Sequence, residues 1–298
     1  MESSAVSAIG VKSVQHEELE SGSGTISKRM GIPELKNRAG WVQGLLLFAV
    51  AALLGAMAFR APAAARRKAV VVELFTSEGC SSCPPADALL TRLEHEPSSN
   101  GAEVIPLGFH VDYWDDQGWR DRFSSHAYTE RQEKYTAKFR LDGPYTPQMV
   151  VDGHTEFVGN DSGRAESAIT QAATRLQETD VKLSWVAPGK LRVAVVVIAS
   201  DKPMRADVRL AITEDNLSTN VAAGENNGHV LHHSAVVRDF RLLGQISNGS
   251  FQMDFPITPD KEWKLNDLRA VAFVQTTPEG TIAGAASIPF PSSLTAGR

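Results

Sequence analysis

Val70-Val71-Val72-Glu73-Leu74-Phe75-Thr76-Ser77-Glu78-Gly79-Cys80-Ser81-Ser82-Cys83-Pro84-Pro85 contains the only two cysteines of the 298-residue chain. A β-branched apolar run ends in this stretch and a leucine-rich helical pattern begins, so the pair sits at a strand-to-helix junction. Two thiols this close can close a reversible disulfide, which makes thiol–disulfide exchange the leading chemistry. A structural staple is the competing reading. A ring this small removes only about 2 kcal/mol of chain entropy, and a stabilising bridge gains more from closing a long loop. Structural zinc needs four ligands, and no second cysteine pair exists to complete such a site.

Toward the N-terminus, residues 1–40 are polar, rich in Ser, Gly and Glu and without apolar periodicity, which predicts a disordered extension. Residues 41–59 carry no charge and centre on Leu45-Leu46-Leu47-Phe48-Ala49-Val50-Ala51-Ala52-Leu53-Leu54. Lys36 and Arg38 precede them and Ala61-Pro62-Ala63-Ala64-Ala65 follows, the arrangement of a secretory signal. The region before the apolar core is long if counted from Met1 and ordinary if counted from Met30, so Met30 is the expected start. A signal-anchor is the alternative, because about 20 apolar residues suffice to span a bilayer. Residues 41–68 are therefore assigned as signal peptide or signal-anchor, the latter attaching the protein to the inner membrane through 41–59. In both cases the cysteines face an oxidising compartment, periplasmic or secreted. A formal net charge of −5 and the lack of a basic tract argue against a nucleic-acid partner.

About 230 residues follow the export segment, room for one large domain or two smaller ones. Residues 70–75 predict a strand buried on both faces. Residues 86–93 predict a helix with Leu89, Leu90 and Leu93 at helical spacing, and 103–111 a second strand. A helix is expected over 121–139, a hairpin from 148–151 and 155–158 turning at Asp152-Gly153, and a helix over 165–176. The order βαβαββα is that of a thioredoxin fold, expected over residues 69–180. Beyond it, 181–186, 191–199, 208–213, 229–240, 251–255 and 268–276 read as short strands. They predict a β-sandwich-like domain over 181–290, followed by a tail at 291–298. The expected fold class is an α/β thioredoxin-like domain followed by a β-rich domain. His229, His232 and His233 read as ordinary strand histidines.

An exchange thiol has to be exposed and partly deprotonated. Cys80 is the expected nucleophile, because backbone N–H groups of Ser82 and Cys83 at the helix start favour its negative charge. Cys83 is the resolving thiol. Pro84 suits the first helical position, which would make Cys83 the cap and leave Cys80 ahead of the helix. Thr146-Pro147 precedes a strand, and a cis bond there would offer the Thr146 backbone to a peptide docked at the pair. Glu73, the only charge in the first strand, reads equally as a carboxylate beneath the pair that accepts the Cys83 proton or as an acid facing water. His110, Asp112 and Trp114 follow the carboxyl end of the second strand, where open α/β sheets bind ligands. They either shape a pocket or cap the core. Asp87 reads only as a first-turn acid complementing the helix dipole.

Glu73-Leu74-Phe75-Thr76-Ser77-Glu78-Gly79-Cys80-Ser81-Ser82-Cys83-Pro84-Pro85-Ala86-Asp87 resembles the signature of a bacterial family of secreted thioredoxin-like proteins of unknown function. Phe109-His110-Val111-Asp112-Tyr113-Trp114-Asp115 and Tyr145-Thr146-Pro147-Gln148-Met149-Val150-Val151-Asp152-Gly153 are similar to its other two blocks. The resemblance covers roughly residues 70–290 and implies a thioredoxin-like domain, an exported location and no assigned substrate. Unlike thioredoxin itself, the chain has Gly79 where a Trp precedes the first cysteine, which leaves the potential open across the roughly 150 mV this fold spans. The expected function is an exported thiol–disulfide oxidoreductase acting without a cofactor on a protein or small-thiol redox partner. Cu(I) handling through the same thiols is the alternative, sulfur suiting that soft ion. Only six methionines, none clustered near the pair, count against it. A binding module without turnover is the third reading.

Overall fold

The first strand, β1 (Ala69–Thr76), alternates its side chains between two buried layers. Val70, Val72 and Leu74 enter one, Val71 and Phe75 the other. In the computed structural model, which describes residues 68–96, 101–199, 203–246 and 249–292, β1 pairs in parallel with β2 (Glu103–His110). That register sets Thr76 beside His110 at the carboxyl ends of the two strands. On its other side β1 pairs antiparallel with β3 (Gln148–Val151), which turns into β4 (Thr155–Val158). Among the described residues three α-helices cover these strands: α1 (Pro84–His95), α2 (His126–Phe139) and α3 (Ser162–Thr174). α1 and α3 bury Ala86, Leu89, Leu90, Ala165 and Ile169 on the Val70–Leu74 face, and α2 lays Tyr128 and Tyr135 on the opposite face. Pro84 and Pro85 open α1, where their missing N–H groups have no helical partner to lose, so Cys83 becomes the N-cap.

The chain continues through β5 (Thr179–Ala187), β6 (Lys190–Val197), β7 (Ala206–Glu214), β8 (Leu217–Asn220), β9 (Val230–His233), β10 (Val236–Gln245), β11 (Ser250–Pro256), β12 (Leu268–Thr276) and β13 (Ile282–Pro289). Four of these strands extend the first sheet, whose order is β13-β12-β7-β10-β2-β1-β3-β4. The joint is β10 against β2. Val236 pairs in parallel with Gly108, whose N–H donates to the Ala235 carbonyl at 2.8 Å. A β-carbon on Gly108 would lie 3.4 Å from the carbonyl oxygens of Ser234 and Ala235, so its absence eases the approach. A three-stranded sheet, β11-β6-β5, packs across the C-terminal strands and encloses Leu191, Val193 and Val195 against Val208, Leu210 and Val274. β8 and β9 form a separate hairpin.

The expected α/β thioredoxin-like domain followed by a separate β-rich domain is therefore overturned. The protein is mostly β, and one eight-stranded mixed sheet runs through both halves. The expected fold leaves β2 open to further pairing, and β10 fills that position. Residues 229–240, read as one strand, break at Ala235, whose φ of 52° lies in the left-handed region. The break lets β9 pack against α1 while β10 joins β2. The helix expected over 121–139 begins at His126, which leaves Asp121 in the preceding loop. β8 and β13 were not expected. Among the described residues no helix is long and apolar enough to cross a membrane, so the transmembrane assignment finds no support there. The apolar stretch 41–59, the extension before it and residues 293–298 of the tail lie outside the described residues.

Candidate functional site

Cys80 and Cys83 are joined as a disulfide in the loop between β1 and α1, their Cα atoms 5.4 Å apart. That bonded state belongs to an oxidising, exported environment. The Cys83 N–H donates to the Cys80 carbonyl at 3.2 Å. Ser82 Oγ lies 3.3 Å from Cys80 Sγ, and because the bonded sulfur carries no hydrogen, the serine is the donor. Ser81 and Ser82 are exposed, yet both cysteines are 0% exposed.

Distant segments cover the pair. From the turn between β8 and β9, Asn226 Nδ2 donates to the carbonyls of Glu78 at 2.9 Å and Cys80 at 3.0 Å. The neighbouring Glu225 accepts the Ser81 N–H at 3.0 Å. From the loop after β2, Trp114 comes so close to Gly79 that a β-carbon there would stand 3.1 Å from the Trp114 Cβ. Gly79 thus makes room for a tryptophan arriving from elsewhere in the chain. Trp114 Nε1 in turn donates to Thr146 Oγ1 at 2.8 Å. The Thr146–Pro147 bond is cis. Gly159 sits within van der Waals reach of both Pro147 and Ala86 of α1, which brings the Thr146-Pro147 loop to the first turn of α1.

Behind the disulfide five ionisable groups are buried together: Glu78, Asp87, His110, Asp121 and His233. His110 Nδ1 pairs with Asp121 Oδ2 at 2.6 Å, and the same oxygen accepts the Glu78 N–H at 2.9 Å. Trp119 Nε1 donates to Glu78 Oε2 at 2.9 Å. His233 Nε2 lies 3.3 Å from Glu78 Oε1, and its Nδ1 lies 3.9 Å from Asp87 Oδ2, but neither ring nitrogen is aligned to make a hydrogen bond. The two imidazoles meet edge to face at 4.9 Å. Burial drives the Asp87 pKa up, against the pull of His233 and His110. Burial also works to lower the His110 pKa, but the Asp121 carboxylate prevails and the net shift is upward. For Asp121 burial acts upward, while His110 and the N–H donors of Glu78 and Phe123 carry the pKa below its ordinary value.

The structure brings Cys80, Cys83, His110, Trp114, Thr146 and Pro147 into one region. It does not bring Glu73 or Asp112 there. Glu73 is buried, but on the α2 side of β1, where Arg131 Nε donates to it at 2.5 Å and the Tyr135 hydroxyl at 2.6 Å. Asp112 accepts the Thr129 hydroxyl at 2.5 Å and pairs with His126 at 3.1 Å, which fastens the start of α2. The sequence reading missed Glu78, Asp121, Asn226 and the burial of Asp87 and His233. One signal was available: Asp87 lies three residues before Leu90 and four after Cys83, on the apolar stripe of α1. Among the described residues no group of three or more His, Cys, Asp or Glu is placed to hold a metal ion. Cavities of about 300 Å³ beside Lys68 and Asp152 and about 340 Å³ beside Glu94 and Asp215 do not include the disulfide.

Fold and site together define a mostly-β protein with a short-loop disulfide at a helix start, roofed by a hairpin turn and backed by acids and histidines. Residues 71–275 match the family described as "Protein of unknown function (DUF1223)", and the chain belongs to that family. Protein AGR_C_4864 of Agrobacterium tumefaciens has a similar structure, with 26% sequence identity and a TM-score of 0.59 over 74% of this chain and 93% of that one. HBP35 of Porphyromonas gingivalis shares the fold at 16% identity and a TM-score of 0.56, over 75% of this chain and 76% of that one. No curated protein matches the sequence. The match shows a family of unknown function, as expected, and nothing in it attaches the thioredoxin class or the motif signature to the chain.

Proposed function

We propose that the protein carries out thiol–disulfide exchange through Cys80 and Cys83, passing two electrons between this pair and an external dithiol on a protein or small molecule. The observation that carries the reading is the closed pair itself, formed by the chain's two cysteines at the start of α1. A bridge of this span adds only about 2 kcal/mol to stability, so structure is a weak reason for it. Cys80 is the attacked sulfur. The Ser82 hydroxyl already donates to it and would stabilise the thiolate formed on reduction. An external thiolate attacks Cys80 Sγ, the S–S bond breaks, and the electron pair leaves on Cys83 Sγ. The donor's second thiol then resolves the mixed disulfide, leaving an oxidised donor and two protein thiols. An extended peptide would dock beside Trp114 and the Thr146-Pro147 loop, which lie next to Gly79 and the first turn of α1. Because both sulfurs are buried, the turn carrying Asn226 has to lift before attack.

The test is equilibration of the protein with glutathione buffers of graded ratio, with free thiols mass-tagged. The pair is expected to titrate reversibly as a two-electron couple, and Cys80→Ala to abolish exchange with a model disulfide. A pair that stays closed at every ratio, or a Cys80→Ala variant with wild-type exchange, refutes the proposal.

A further inference from the structure

The acid–histidine cluster is an expensive way to fill a core. Taking ionisable groups out of water costs free energy unless each finds partners, and here His233 Nε2 meets Glu78 Oε1 at 3.3 Å and His233 Nδ1 meets Asp87 Oδ2 at 3.9 Å, buried contacts without hydrogen-bond alignment. Loosely paired buried ionisable groups beside a disulfide point to a task other than packing. Asp87 is the member of the cluster carried on α1, the helix that Cys83 caps. It follows Cys83 by one helical turn, on the same side of α1, and its backbone N–H donates to the Cys83 carbonyl at 3.1 Å. Its carboxyl is buried and faces His233, delivered by β9.

Resting on the exchange reaction proposed above, we infer that Asp87, positioned by His233, holds the proton that Cys83 gains on reduction and gives up on oxidation. When an external thiolate attacks Cys80, the electron pair of the broken S–S bond arrives on Cys83 Sγ in a water-free position. The Asp87 carboxyl passes its proton to that thiolate and becomes a carboxylate facing His233. In the oxidative direction the Asp87 carboxylate takes the Cys83 proton. The Cys83 thiolate then attacks the mixed disulfide at Cys80 and expels the partner thiol. In the reductive direction the reductant is the external dithiol, which ends as a disulfide; in the oxidative direction the oxidant is an external disulfide, which forms the mixed disulfide with Cys80 and ends as a dithiol. The charged and titratable groups around Asp87 are His233 from β9, His110 from β2, and Glu78 and Asp121 from the two loops. Arg122 and Arg238 lie over the Phe123 ring, which also meets both imidazoles edge to face. The donor is the protonated carboxyl, so reduction per attacking thiolate is fastest below the Asp87 pKa and slows as pH rises through it.

The experiment is reduction of the whole protein by dithiothreitol over about pH 4 to 9, with the rate expressed per dithiothreitol thiolate. Wild type is expected to show one inflection with a falling alkaline limb. Asp87→Asn cannot donate the proton; it is expected to lose the inflection and to run roughly 10²-fold slower on the acid limb. Asp87→Glu should restore an inflection, and His233→Gln should move it. An Asp87→Asn variant that keeps the wild-type inflection refutes the inference. If that variant does not fold, an inflection that moves in neither Asp87→Glu nor His233→Gln refutes it instead. A wild-type pair that never cycles in the glutathione titration defeats the exchange reading itself, so the two failures are distinguishable.

Discussion

Asn226→Ala should make the disulfide easier to reduce. In the closed structure the Asn226 amide spans the carbonyls of Glu78 and Cys80, at 2.9 and 3.0 Å, and holds the β8–β9 turn over a pair that is 0% exposed. A buried disulfide reacts through a transiently opened form. When opening and closing are fast, the rate follows the open population. Each neutral hydrogen bond contributes about 1 kcal/mol net, so losing both favours opening by about 2 kcal/mol. At 1.4 kcal/mol per tenfold, this is a gain of roughly 30-fold in the rate of reduction. The assay is quenched reduction by dithiothreitol at fixed pH, with the newly freed Cys80 counted by mass-tagging. Glu225→Ala removes an exposed bond to Ser81 and should accelerate reduction less. A rate for Asn226→Ala within about twofold of wild type would show that attack reaches Cys80 by another route and that the turn is no gate.

Glu73→Gln leaves Arg131 buried without its carboxylate and should cost about 3–5 kcal/mol, roughly 10 °C in melting temperature for a chain of this size. Its pH profile of disulfide reduction should match wild type, because Glu73 faces α2; a loss under about 1 kcal/mol or a changed profile contradicts this placement. Burial pushes the Asp152 pKa from 3.8 up to about 6, against the Val71 N–H and Lys68. A raised pKa means the fold favours the protonated form, so this stability is full below the unfolded pKa and is lost as pH rises through about 6. Urea unfolding should weaken over that window by up to about 3 kcal/mol, and Asp152→Asn should flatten the slope; equal slopes in variant and wild type would overturn the assignment. His110 has its pKa raised and Asp121 its pKa lowered, so their pair stabilises the fold fully only between the unfolded values of the two groups, 3.8 and 6.5. The contribution fades as pH falls through the Asp121 pKa in the fold or rises through that of His110. His110→Gln should remove the alkaline loss in melting temperature, and an unchanged alkaline limb would count against the pair.

Elements over residues 70–176 were legible because their causes are local. Alternation shows in Val70, Val72 and Leu74, prolines follow Cys83, and Asp152-Gly153 marks the hairpin turn. The fold class was not legible, because what decides it is Val236 meeting Gly108, a pairing between residues far apart whose own patterns fit several partners. Glu73 shows the same division. Parity along β1 already groups it with Val71 and Phe75, away from Leu74, but nothing nearby says which of those faces α1 covers.

The site divides along that line too. A short-loop disulfide such as Cys80–Cys83 is defined by its immediate neighbours, and the chain displays it openly. The groups that would serve it come from separate places: Asp87 from α1, His110 from β2, His233 from β9, and Glu78 and Asp121 from the two loops. Read locally, Asp87 is an ordinary dipole-complementing acid and His233 an ordinary strand histidine. They become a cluster only because Ala235 breaks the chain between β9 and β10, sending one strand to α1 and the other to β2. An acid that complements a helix dipole belongs in water at the helix start, where its pKa falls. Asp87 is instead buried against His233 with its pKa raised; the Asp152 pKa is raised by burial as well, so what sets Asp87 apart is its place one helical turn after Cys83 among the buried histidines and acids.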